Sequence, residues 1–81
     1  MFLRGPTLRV VKALAEASYR MNLSDLQQAT GIKSRLLTRF ILKRLHSNRY
    51  IVIHRPRTLM AADRYSLTPD GHRLLRSANG H

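Results

Sequence analysis

Between Asp25 and Asp63 the chain has no acidic residue, yet this stretch holds Lys33, Arg35, Arg39, Lys43, Arg44, Arg49, Arg55 and Arg57. Guanidinium and ammonium donors match the oxygens of phosphate groups, and the missing carboxylates leave these donors unneutralised. Over the whole chain fifteen Lys and Arg face four Asp and Glu, a formal charge of +11 on 81 residues. In a near-neutral protein such a run is a solvated face that serves solubility. An excess this large on so small a body opposes compaction by self-repulsion, and its clustering points to a polyanionic partner.

Rival chemistries are poorly supplied. His46, His54, His72 and His81 share no metal-ligand spacing, there is no HExxH, and there is no Cys to give a thiolate ligand, so neither metal nor cofactor is expected. The four carboxylates sit on a helix face (Glu16), in a first helical turn (Asp25), in the hairpin loop (Asp63) and just after a cap (Asp70), with no arguable general acid/base pair. Gly5, Gly31, Gly71 and Gly80 build no phosphate-cradling loop. No enzyme is expected. The longest apolar runs, Tyr50-Ile51-Val52-Ile53 and Phe40-Ile41-Leu42, fall far short of the ~20 residues that cross a bilayer. The absence of Cys fits a reducing, cytoplasmic setting.

The elements that must carry the cations follow from periodicity and caps. An apolar fraction of 43% is enough for one small core, so a single domain over residues 1–81 is expected, with an arm at 1–6 and a frayed tail at 77–81. Thr7 caps a first helix over 8–20, in which Leu8, Val11, Leu14, Ala15 and Ser18 form the buried stripe. Ser24 and Gln27 form a capping box opening a second helix over 25–30, which Gly31 ends. Ser34 caps a third helix over 35–47. Its apolar residues Leu36, Leu37, Phe40, Ile41, Leu42 and Leu45 average to a direction near Leu37 and Ile41. Leu36 and Leu42 then flank the stripe, and Arg35, Arg39, Lys43 and His46 lie opposite.

Beyond Asn48-Arg49 the β-branched run 50–55 predicts a strand, and 64–67 predicts its hairpin partner, with Ile51 and Ile53 facing Tyr65 and Leu67. Thr68-Pro69 opens a last helix docked by Leu74 and Leu75. The fold class is mainly α with a small β-hairpin, in the order α-α-α-β-β-α.

Leu23-Ser24-Asp25-Leu26-Gln27-Gln28-Ala29-Thr30-Gly31-Ile32 resembles the helix and turn of a winged helix-turn-helix domain. The third helix then resembles a recognition helix, and Arg64-Tyr65-Ser66-Leu67-Thr68-Pro69-Asp70-Gly71 resembles the second wing strand and the LT-x-x-G start of the next helix. The likeness spans residues 7–76 and is greatest to small MarR-, PadR- and ArsR-type regulators. Where the family carries glycine after the third helix this chain has Arg49, so Asn48 is expected to supply the left-handed residue.

The resemblance implies sequence-specific binding of double-stranded DNA with the third helix in the major groove. A major groove admits one helix, and arginine's fork matches the two acceptors of guanine. Arg35 and Arg39 are therefore the expected base readers, with Thr38 adding a methyl or hydroxyl contact. Lys33, Ser34, Lys43, Arg44 and Arg49 hold backbone phosphates, and Arg55, Arg57 and Arg64 form a basic wing. Specific operators offer two half-sites, so a homodimer is expected, paired through the first helix, Phe2-Leu3 and the last helix. The function so implied is a transcriptional regulator, most simply a repressor, or a mobile-element accessory factor. The alternative is a module for structured RNA or for a protein partner in a larger assembly, against which stands the scarcity of exposed aromatic platforms.

Overall fold

A computed structural model describes residues 3–58 and 60–79. The first two residues of the expected arm, Phe2 among them, and the last two of the expected tail lie outside these. The elements in chain order are α1 (Gly5–Glu16), β1 (Met21–Asn22), α2 (Leu23–Thr30), α3 (Arg35–Ser47), β2 (Ile51–His54), β3 (Arg64–Leu67) and α4 (Pro69–Asn79). The expected four helices and hairpin are all present. The sheet, however, has three strands in the order β1-β3-β2, because Met21 and Asn22 pair antiparallel with Tyr65 and Arg64. A two-residue strand leaves no periodicity in the sequence.

Several caps differ from expectation. α1 starts at Gly5 with Arg4 at the N-cap, so Thr7 lies inside the first turn and residues 5–6 are helix, not arm. Pro6 suits this position because its missing N–H falls among the unpaired donors of the first turn. The helix ends at Glu16, four residues short of the expected end. In α2 the capping box is formed by Asn22 and Asp25, whose side chains accept each other's backbone N–H at 2.8 and 3.2 Å. Ser24 is exposed. The Gln27 amide instead donates to the carbonyls of Ile32 and Lys33 at 3.3 and 2.9 Å, holding the turn between α2 and α3. Gly31 ends α2 in the left-handed region (φ 73°), as the sequence implies.

α3 has the expected span and cap, Ser34 Oγ accepting from the Leu37 N–H at 3.1 Å. Its rotation is different. Thr38, Ile41, Leu42 and Leu45 are buried, so the inward direction lies near Thr38 and Leu45, rotated by about 70° from Leu37 and Ile41 on a 100° wheel. The core they join comprises Val10, Val11, Leu14, Met21, Leu23, Leu26, Ile32 and Ile51.

The α3–β2 corner and the β3–α4 corner are locked together by Thr68. Its N–H donates to the Tyr50 carbonyl (3.0 Å), its hydroxyl donates to the Arg49 carbonyl (2.8 Å), and its Oγ accepts from the Gly71 N–H (3.1 Å). Arg49 itself occupies the left-handed region (φ 62°), whereas Asn48 is at φ −93° and donates its side-chain amide to the Arg44 carbonyl. The left-handed residue therefore falls one position later than expected: Asn48 still continues the helix's hydrogen bonding, and Arg49 makes the reversal. Gly71 is required by close approach, since a Cβ there would run into the Tyr50 carbonyl oxygen. α4 continues through residue 79, so residues 77–79 are helix, not frayed tail. Leu75 packs on the core, and Leu74 is half-buried.

Candidate nucleic-acid interface

The hairpin pairs in the expected register, Ile51 with Leu67 and Ile53 with Tyr65. Ile51, Ile53, Tyr65 and Leu67 thus share the face turned to the core, and Val52, His54, Arg64 and Ser66 share the other. His54 Nε2 and Ser66 Oγ are 2.7 Å apart on that outer face. Arg55 and Arg57 follow β2 into the exposed loop.

Tyr65, on β3, packs partly buried against the core. Burial pushes its phenol above the ordinary tyrosine value and the Asp63 carboxylate adds to this, while the positive charges of Arg39 and Arg55 pull the other way. Arg39 comes from α3 and Arg55 from the end of β2, so the charges of both elements act on this one phenol.

A groove of about 420 Å³ lies at the loop end of the hairpin and is lined by Arg20, Asn22, His54, Arg55 and Arg64, among others. The sequence pattern assigns Arg20 no part in the site. The antiparallel pairing of Met21 with Tyr65 and of Asn22 with Arg64 carries Arg20 to the groove that Arg64 also lines, a placement that nothing local in the sequence signals.

Lys33, Arg35, Arg39, Lys43, Arg44, Arg49, Arg55, Arg57 and Arg64 are all exposed. Among the described residues the only ion pair joins Arg73 to Asp70 at 3.1 Å and takes in none of these side chains. Ser34 is exposed as well, and its hydroxyl, while accepting from Leu37, keeps a proton to donate.

Thr38 is a correction. It is wholly buried, and its hydroxyl donates to the Ser34 carbonyl at 2.9 Å, so it reaches no base edge. The same rotation of α3 moves Arg35 and Arg39 from the point opposite the core to one flank. The outermost ridge is instead Leu36, Phe40, Lys43 and Ser47, with Arg44 on the other flank. Leu36 is 79% and Phe40 58% exposed, whereas Leu42 is buried. Phe40 thus leaves the apolar side on which the sequence pattern puts it. Tyr50 and Tyr65 pack partly buried against the core.

No protein-family model and no curated protein matches the sequence. Solved structures do. A structure of BpsR from Bordetella bronchiseptica, concerned with regulation of its DNA binding by 6-hydroxynicotinic acid, superposes with a TM-score of 0.83 at 25% identity, covering 96% of this chain and 58% of that one. A MarR/EmrR family transcriptional regulator from Acinetobacter sp. ADP1 gives 0.75 at 19% identity over 91% of this chain and 51% of its own. Heme-free PefR gives 0.68 at 24% identity over 94% and 67%. The chain thus spans little more than half the length of the first two. Four helices around a small three-stranded antiparallel sheet, superposing on these proteins over nearly its whole length, give this chain the winged helix-turn-helix fold of MarR-type regulators.

Proposed function

We propose that this chain binds double-stranded DNA, with α3 in the major groove and the β2–β3 hairpin on the flanking backbone, and that it regulates transcription by occupying its site. The observation that carries the reading is that the cations of α3 and of the hairpin, Arg35, Arg39, Lys43, Arg44, Arg55, Arg57 and Arg64, are all exposed and that none of them is held in an ion pair among the described residues. The fold shared with BpsR, a protein whose DNA binding is the subject of its structure, supports it.

In this reading Arg35 and Arg39 read base edges from the flank of α3. Lys33, Ser34, Lys43, Arg44 and Arg49 hold phosphates, and Arg55, Arg57 and Arg64 extend the contact along the wing. Arg20, in the groove beside Arg55 and Arg64, joins the phosphate-binding set. Two copies pair across α1 and α4, which pack against each other on one side of the domain, and so present two α3 helices to successive half-sites. Occupancy of a promoter by such a dimer represses it. The protein acts in the cytoplasm, on the nucleoid.

The test is a salt titration of affinity for duplex selected from a random pool. If about six phosphates are neutralised, log K falls with log salt at a slope near −5, about a thousandfold between 50 and 200 mM. Structured RNA is the competitor. A slope near zero, or preferential retention of RNA, refutes the reading.

A further inference from the structure

The outward ridge of α3 begins with two large apolar side chains that the core does not use. Leu36 and Phe40 are one turn apart and point away from the Thr38–Leu42–Leu45 seam, at 79% and 58% exposure, and Leu37 beside them is 40% exposed. They lie in the N-terminal half of the helix, the half that meets base edges first when such a helix enters a groove. Exposed apolar groups clustered on one short segment mark a contact site more often than chance surface.

The surroundings say what the contact is. Arg35, Arg39, Lys43 and Arg44 ring the patch, and no carboxylate occurs between residues 26 and 62. A second copy docking here by the same face would bring like charges together at close range. A nucleic-acid duplex meets the cations with phosphates, and the floor of its major groove carries one kind of apolar group, the 5-methyl of thymine. Duplex RNA offers neither feature: uracil has no methyl group, and the A-form major groove is too deep and narrow for side chains to read.

We propose that Leu36 and Phe40 read thymine methyl groups in the major groove, so that the DNA this chain prefers has thymines where the first turns of α3 lie. The inference rests on the reading of α3 as the groove helix. Arg39 then orients the helix on its flank, and the apolar ridge discriminates T·A from C·G without a hydrogen bond.

The experiment uses duplexes selected by the whole chain from a random pool, resynthesised with uracil in place of each thymine. That exchange removes only the methyl group and leaves base pairing and backbone charge intact. Affinity of the unaltered protein should fall about fourfold per contacted methyl, the worth of one buried methyl group, with the salt slope unchanged. Leu36→Ala and Phe40→Ala should bind thymine and uracil duplexes nearly alike, and Phe40→Leu should keep part of the preference. Equal affinity of the unaltered protein for the two duplexes overturns the inference and leaves the basic face as a DNA-binding surface. Loss of self-association in Phe40→Ala, with thymine preference intact, overturns it in favour of a contact between copies. Failure to bind any duplex removes the reading of the basic face, and this inference with it.

Discussion

Arg49 holds a backbone conformation that suits glycine, and at the same time presents a cation beside the end of α3, so its replacement should move stability and binding in opposite directions. At φ 62° an L-residue carries a Cβ close to its own carbonyl, at a cost of roughly 1–2 kcal/mol. Glycine escapes that cost but loses about 0.5–1 kcal/mol through the greater freedom of its unfolded chain. Arg49→Gly should therefore stabilise the fold by about 0.5–1 kcal/mol, which raises Tm by roughly 2–8 °C in a domain of this size. The native conformation survives the exchange because neighbours hold it. The Arg49 N–H donates to the His46 carbonyl at 3.0 Å, and its carbonyl accepts the Thr68 hydroxyl at 2.8 Å. Arg49→Ala is the control, since it removes the charge and keeps the strain. Thermal and urea denaturation of the three proteins, followed by circular dichroism, separates the terms. The two variants should lose DNA affinity alike, with the magnitude of the salt slope reduced by about 0.9 if one phosphate contact is gone. An alanine variant as stable as the glycine variant would refute the reasoning, because strain at this residue would then play no part.

Three further outcomes are expected. Gly71→Ala should destabilise the fold by about 3 kcal/mol or more, because the new Cβ collides with the Tyr50 carbonyl and the side chain of Leu67 in a junction already drawn tight by Thr68; a near-neutral change in urea midpoint would contradict the packing. Asn22→Ala should cost about 1 kcal/mol by removing one arm of the capping box, whereas Ser24→Ala should leave the urea midpoint almost unchanged. The raised folded pKa of Tyr65 means that its contribution to stability is complete below pH ~10, the unfolded value, and is lost as pH rises through the folded value. Tyr65→Phe should flatten that alkaline decline, and an unaltered pH profile would show that another group is responsible.

Much of the scaffold was legible in the chain itself. Ser34, with Gly31 before it, marks the start of α3, and Asn48-Arg49 after a stretch free of Gly and Pro marks its end, because caps and breakers act within one turn. The hairpin and its register followed from β-branched runs with period-two alternation. The acid-free block of cations is a property of composition and needed no fold to be seen. The rotation of α3 was not legible. Six large apolar residues surround so much of its circumference that their mean direction is a poor guide, and the choice among them is made by the elements it packs on, α1, α2 and β2. Those neighbours bury Thr38 and Leu42 and leave Leu36 and Phe40 in water. The same holds for Asn22 as the cap, for β1 as a third strand that delivers Arg20 to the wing, for the left-handed turn at Arg49 and for the close approach at Gly71. Local sequence thus determined which segments form the four helices and the hairpin and where the charge lies, since those depend on interactions a few residues apart. Only the tertiary structure decided which side of α3 meets solvent and where a third strand pairs, because those depend on contacts between residues distant along the chain.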